Sequence, residues 1–157
     1  PGGVPNEMLT EPFTNGVAGY PEKHDEAMNM EDDIENLKAK VNAGAQYIVT
    51  QMFFDNSKYF AFVKRLRKEG INVPVIPGLK PLTTLNHLTM LPKTFHIDFP
   101  KRLSNELMKC KSNDDVKAVG VEWAKHQCRE LRENGVPGIH FYTMNASQSV
   151  EKIMNGL

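Results

Sequence analysis

Glycine-rich nucleotide signatures, cysteine clusters and long apolar runs are all missing from this 157-residue sequence. Each absence removes a class of function. The cysteines, Cys110 and Cys128, are too few and too far apart for a metal-ligand set or a disulfide-stapled secreted domain, so reduced thiols and a cytoplasmic setting are expected. No apolar stretch nears the roughly 20 residues of a membrane helix. The first residues, PGGVPNEMLTEPFTNG, lack the charged and apolar regions of a signal peptide. A soluble chain is expected. Nineteen basic and nineteen acidic side chains cancel to a formal charge of zero, so no global field draws nucleic acid or a membrane surface. There is no Walker-type loop and no nucleophile elbow, and His126, Gln127 and Cys128 lie in a helical pattern without ligand spacing. Hydrolase and metalloenzyme chemistry therefore start with nothing in their favour.

What is present is a repeated grammar. The phrases NAGAQYIV, KEGINVPVI and ENGVPGIHF each run from a helix end through glycine into an apolar strand. Strands are expected at Gly16 to Tyr20, around Tyr47 to Val49, at Val73 to Pro81 with a break at Pro77 and Gly78, and at Gly138 to Asn145. Helices are expected over Asp25 to Ala43, Asn56 to Glu69, Thr84 to Leu91, Pro100 to Cys110, Asp114 to Asn134 and Ser147 to Met154, with a turn at Pro92. The first helix carries Asp25, Glu26, Glu31, Asp32 and Asp33 towards its front and Lys38 and Lys40 towards its back, the polarity a helix dipole favours. Strands alternating with helices imply parallel pairing and right-handed crossovers, an α/β class. Four βα units fit a small doubly wound sheet or half of a (β/α)8 barrel, and a whole barrel needs roughly 200 to 250 residues. Residues 1–15, rich in Pro, Gly and Asn, read as a loop belonging to an upstream segment, and 16–157 as the domain.

In a parallel α/β fold, ligands meet the C-terminal ends of the strands. Those ends are GYPEKH, TQMFFD, PGLKP and FYTMN. They supply Tyr20, Glu22 and His24, then Thr50, Gln51 and Asp55, then Lys80, then Tyr142, Thr143 and Asn145. Such a set, rich in hydrogen-bonding and stacking groups and poor in charge, suits a flat heteroaromatic ligand better than a metal or bare phosphate. Each member has a plainer role open to it. Tyr20 before Pro21 fits a strand-ending turn, His24 a helix cap, and Gln51 a partner for nearby loop backbone. Met52, Phe53 and Phe54 fit packing better than a cofactor box.

Taken in order, GVAGYPEKHDEA, DDIENLKAKVNAGAQYIVTQMFFD, VIPGLKPLTTL and GVPGIHFYTMN resemble the second half of a methylenetetrahydrofolate reductase, from Gly16 to Asn145. The resemblance implies that the chain supplies the C-terminal four βα units of a (β/α)8 TIM-type barrel, a half-barrel if complete as given. It implies FAD as cofactor, NADH or NADPH as electron donor, and reduction of 5,10-methylenetetrahydrofolate to 5-methyltetrahydrofolate in one-carbon metabolism and methionine biosynthesis. The implied partners are that folate, the missing N-terminal half of the barrel and further copies in a homo-oligomer, and an isolated fragment is expected to be inactive. A non-catalytic flavin- or folate-binding module is the alternative.

Position by position, the resemblance implies flavin contacts for Tyr20, His24, Asp25, Glu26 and Ala27, and for Asp33, Asn36 and Lys40 on the following helix. Helical spacing puts these last three on roughly one face, where Lys40 can neutralise diphosphate charge. Where the family often has Arg, this chain has Ala39. Gln51 matches a glutamine that bonds the pterin and, in turn, the nicotinamide amide, a dual task suited to a side chain that both donates and accepts. His87 stands where the family can place a second glutamine towards the folate, and Ala146 where some members carry an Arg for the glutamate tail. The family's general acid, a glutamate, and its Arg-Gly-Asp segment belong to the first half. No catalytic residue and no metal ligand is therefore assigned in this chain.

Overall fold

The computed structural model describes residues 14–144 and 147–157. Most of the loop expected over residues 1–15, together with Asn145 and Ala146, lies outside the described residues. Among those described, four strands pair side by side in parallel: β1 (Gly16–Gly19), β2 (Tyr47–Met52), β3 (Val75–Leu79) and β4 (His140–Phe141). Between and after them run α1 (Met30–Asn42), α2 (Asn56–Lys68), α3 (His87–Phe95), α4 (Lys101–Leu107), α5 (Asn113–Glu133) and α6 (Ser147–Met154).

Strand order separates the two architectures left open by the sequence. A doubly wound sheet reverses direction at a switch point, whereas a barrel always steps to the next strand. The order here is β1-β2-β3-β4. With crossovers of one hand, that order puts the connecting helices on one face and makes the sheet an arc of a barrel.

Alternation along β2 sorts the two faces. Ile48, Thr50 and Met52 are buried, and Tyr47, Val49 and Gln51 are half-exposed on the other side. The helix-covered face holds the larger core, with Ile34 and Leu37 from α1, Phe62 and Leu66 from α2, Val75 and Leu79 from β3, and Cys128 and Leu131 from α5. Enclosing one such leucine stabilises the fold by about 2 kcal/mol. A second cluster, including Met52, Phe54, Leu82, Leu91, Leu103 and Val116, gathers around the segments that leave the strands. Met52, Phe53 and Phe54 are all packed in these cores.

Several boundaries differ from the sequence expectation: β2 extends to Met52, β3 spans Val75–Leu79 and runs unbroken through Pro77 and Gly78, α4 ends at Leu107, and α1, α3 and β4 depart further. α1 begins at Met30 rather than Asp25, because Asn29 caps it by accepting the Asp32 N–H at 2.8 Å. Asp25 and Glu26 consequently precede the helix and take no part in its first turn. α3 starts at His87 and runs through Pro92 to Phe95, ending only where His96 turns left-handed at φ 51°. Proline there removes one bond, to the Leu88 carbonyl, and leaves Leu91 fully buried. β4 is two residues long instead of eight. The three expected glycine stops hold, with Gly44, Gly70 and Gly135 at φ 113°, 78° and 70°.

Candidate functional site

Past Gly19 the chain winds through a loop before α1. Lys23 takes a left-handed φ of 77°, and its Nζ donates to the carbonyls of His24 (2.8 Å) and Ala27 (2.5 Å). Asp33 Oδ2 accepts the His24 N–H at 2.9 Å, so the first turn of α1 reaches back to hold the loop. The His24 ring stands edge-on to Tyr20 with centroids 4.4 Å apart, and its Nδ1 accepts the Glu26 N–H at 3.2 Å. Burial, then the charges of Asp33 and Glu26, hold the Tyr20 phenol above its usual range, which keeps it a neutral donor.

An open cleft of about 580 Å³ separates this loop from α1 and is lined by Tyr20, His24, Glu26, Ala27, Asp33, Asn36, Ala39 and Lys40. Seven of the eight residues expected to touch a flavin therefore share one cleft. Asp25 does not join them: it is exposed, and its Oδ1 faces His96 Nε2 at 3.3 Å. Lys40 is the cation of the lining, against the carboxylates of Glu26 and Asp33. Ala39 also lines the cleft, so the position where the family often has Arg does face this space.

The end of β2 is built differently. β2 and β3 pair in step at Ile48↔Val75 and Val49↔Ile76, but the next pair is Met52↔Gly78. β2 advances three residues while β3 advances two, which is a β-bulge at Thr50 and Gln51. The Gly78 N–H donates to the Thr50 hydroxyl at 2.9 Å, and the Thr50 carbonyl accepts the Tyr142 O–H at 2.9 Å. A Cβ at position 78 would stand 2.2 Å from that carbonyl and 2.7 Å from the Tyr142 ring, so no larger residue fits without displacement. Gln51 Oε1 accepts the Met52 N–H at 3.0 Å, while its Nε2 has no hydrogen-bond partner among the described residues. The amide thus satisfies local backbone with its oxygen and keeps two donors for the open side of the sheet.

Helix α5 fixes the segment that follows. Asn56 Nδ2 donates to the Gln127 carbonyl (3.1 Å) and to Glu130 Oε2 (2.7 Å). Gln127 Nε2 donates to Asn56 Oδ1 (3.0 Å) and the Phe53 carbonyl (3.3 Å), and Trp123 Nε1 to the Phe54 carbonyl (3.0 Å). Asp55, a polar strand-end residue in the sequence, caps α2 by accepting the Ser57 N–H at 2.9 Å. Glu22 is likewise engaged, paired with Lys58, which also holds Asp98 at 2.9 Å. Burial pulls the Lys58 ammonium down, but the two carboxylates outweigh it and the net shift is upward.

His87, at the start of α3, is half-buried, and its Nδ1 accepts the Thr83 N–H at 3.2 Å. The neutral ring then carries its proton on Nε2. Burial, then the positive charge of Lys80, hold this imidazole below its usual range. Lys80 and Tyr142 were visible in the sequence as strand-end residues without an assigned contact.

A family model described as methylenetetrahydrofolate reductase matches residues 6–157. This chain belongs to that family. Methylenetetrahydrofolate reductase 1 of Schizosaccharomyces pombe is 37% identical over 146 residues, covering 92% of this chain and 24% of that protein. The probable NADPH-type methylenetetrahydrofolate reductase of Caenorhabditis elegans is 37% identical over 147 residues, covering 92% and 22%. The 5,10-methylenetetrahydrofolate reductase of Buchnera aphidicola is 36% identical over 138 residues, covering 86% and 47%. The chain thus spans about a quarter of the first two relatives and about half of the third. Among solved structures, an uncharacterized protein from Clostridium thermocellum that binds two copies of 5-methyl-5,6,7,8-tetrahydrofolic acid shares the fold. Its TM-score is 0.59 at 21% identity, over 90% of this chain and 52% of that one.

Proposed function

We propose that this chain is the second half of a methylenetetrahydrofolate reductase barrel, whose residues would hold FAD for the reduction of 5,10-methylenetetrahydrofolate by NADH or NADPH. The observation that carries the proposal is the convergence of Tyr20, His24, Glu26, Ala27, Asp33, Asn36 and Lys40 on one cleft beside the strand ends. The cleft suits FAD chemically. Asn36 and Lys40 offer donors from one helix face to ribose and diphosphate, and the neutral Tyr20 phenol adds a donor and a stacking face. Asp33 contributes mainly through one oxygen, since the other is occupied by the loop. When bound, FAD would supply the hydride chemistry.

The chain's own residues do the orienting. Gln51 Nε2 donates to the pterin edge and, in turn, to the nicotinamide amide, and His87 Nε2–H adds a donor on the folate side. The Thr50, Gly78 and Tyr142 interlock holds Gln51 in place. Proton delivery to the folate falls to a glutamate outside this chain, on a first half of the barrel that would cover the open side of the sheet.

The full-length protein should purify yellow, oxidise NADH or NADPH with menadione as acceptor, and reduce methylenetetrahydrofolate. A flavin-loaded preparation that does neither reaction refutes the reductase assignment. Tight folate binding without either reaction would instead favour a binding module.

A further inference from the structure

Lys80 is the one formally charged side chain among the buried residues described, at 4% exposure. The other buried polar side chains, Thr50, Asn56, Gln127 and Ser149, are all uncharged. No carboxylate pairs with Lys80 among the described residues, whereas Lys58, Lys109 and Lys125 each meet an acid. Its recorded acceptor is the Tyr142 carbonyl at 3.4 Å, beyond the usual length of such a bond. An ammonium carries three donors, so most of its capacity is unmet. The side chain has no easy route to solvent, because Leu79, Pro81 and Leu82 on either side of it are buried as well.

Burying an unpaired cation is costly, and a fold that only needed to fill this space would be better served by methionine. Burial accordingly holds the Lys80 ammonium below its usual range. The position is not remote. Lys80 touches the residue whose phenol spans Gly78 to reach Thr50, and its charge is felt at His87. Those neighbours supply no negative charge.

We propose that Lys80 is a ligand-binding residue that pairs with an anionic oxygen of the bound small molecule, a carboxylate or a phosphate, with the His87 Nε2–H beside it as second donor. The inference rests on the folate and nicotinamide assignment above and adds to it a charge contact supplied by this chain. Two ligands of that reaction carry such an oxygen: the folate through its glutamate carboxylates, and the nicotinamide nucleotide through its diphosphate.

The test uses the full-length, flavin-loaded protein and the variants Lys80→Met and Lys80→Arg. Affinities are measured for 5-methyltetrahydrofolate, for NADH, and for 5,6-dimethyltetrahydropterin, which keeps the pterin and has no anionic group. Lys80→Met should weaken at least one anionic ligand by about tenfold or more, the scale of a lost charge-assisted bond, and leave the carboxylate-free pterin unchanged. Lys80→Arg should retain most of the affinity. A loss confined to 5-methyltetrahydrofolate identifies the carboxylate, and one confined to NADH the phosphate. The Tm supplies a readout that a structural role would move the other way: Lys80→Met should hold or raise it. A lowered Tm with all three affinities intact overturns the inference and leaves the reductase assignment standing, as does an equal loss for the uncharged pterin. A wild-type protein that binds none of the three overturns both.

Discussion

Gly78→Ala is the sharpest perturbation of the site that keeps its chemistry. The added methyl would lie 2.2 Å from the Thr50 carbonyl oxygen and 2.7 Å from the Tyr142 ring. The carbonyl cannot retreat freely, because the Thr50 hydroxyl on the same residue is bonded to the Gly78 N–H. Forcing a methyl into packed surroundings costs about 1 to 3 kcal/mol. Displacing the Tyr142 ring also breaks its bond to the Thr50 carbonyl, worth about 1 kcal/mol. The expected loss is therefore about 3 kcal/mol, read as a lower urea midpoint at unchanged slope, with Trp123 fluorescence as probe. Tyr142→Phe alone should cost about 1 kcal/mol. The double variant should fall short of the sum by about that amount, since the shared bond is lost only once. Folate turnover should fall in Gly78→Ala as well, because the bulge carries Gln51. A Gly78→Ala protein within about 0.5 kcal/mol of wild type would show that β2 and β3 are not locked in this way.

Further outcomes follow from the same geometry. Gln51→Ala should cut kcat/KM for methylenetetrahydrofolate by about tenfold or more while flavin content per protein stays constant; parallel loss of flavin would place Gln51 in the wrong site. Asn56→Ala strands Gln127 and Glu130 behind β2 and should lower stability by about 2 kcal/mol in urea unfolding. Alkaline pH gives a third check. Burial pushes the Tyr59 phenol from 10.0 up to about 12 and the Cys128 thiol from 9.0 up to about 11. Both groups hold their protons longer folded than unfolded, so their contribution is complete below the unfolded values and is lost as pH rises through the folded ones. Stability should be insensitive to these two groups below pH 9.0 and decline from there towards about 12, with Tyr59→Phe flattening the upper part of the decline. A urea midpoint that stays constant across that range contradicts the assignment.

The elements were legible because local chemistry agreed with tertiary structure. Glycine after each of three helices, apolar strands next, and a 3.6-residue stripe on α1, α2 and α5 all point to the same α/β class. What resisted reading were places where a nonlocal partner decides. Nothing in PEKHDEA says that α1 waits for Asn29, because the acids of this stretch are recruited elsewhere: Asp25 to His96, and Glu22 to the Lys58 ammonium and the Asp98 backbone N–H. Pro92 stays helical beside Leu91, which is fully buried in the second core together with Leu103 and Leu107 of α4 and Val116 of α5. Asn56 and Gln127 lie 71 residues apart, and no periodicity links them. Of the cleft residues, Tyr20 and His24 were readable from their place at a strand end, whereas Asn36 and Lys40, ordinary surface choices on a helix, were readable only through family resemblance.

The bulge explains why a polar amide leaves an apolar strand. A regular β2 would have paired Gly78 one residue earlier, with Gln51. Instead the Thr50 side chain takes the Gly78 N–H, the Thr50 carbonyl is freed to accept the Tyr142 phenol, and the extra residue is the one that carries the amide. Three residues therefore aim the Gln51 side chain: Thr50 from β2, Gly78 from β3, and Tyr142 immediately after β4. Such an arrangement contributes little that a regular ladder would not, if stability alone were at stake. Its cost makes sense when Gln51 has something to meet on the open face of the sheet.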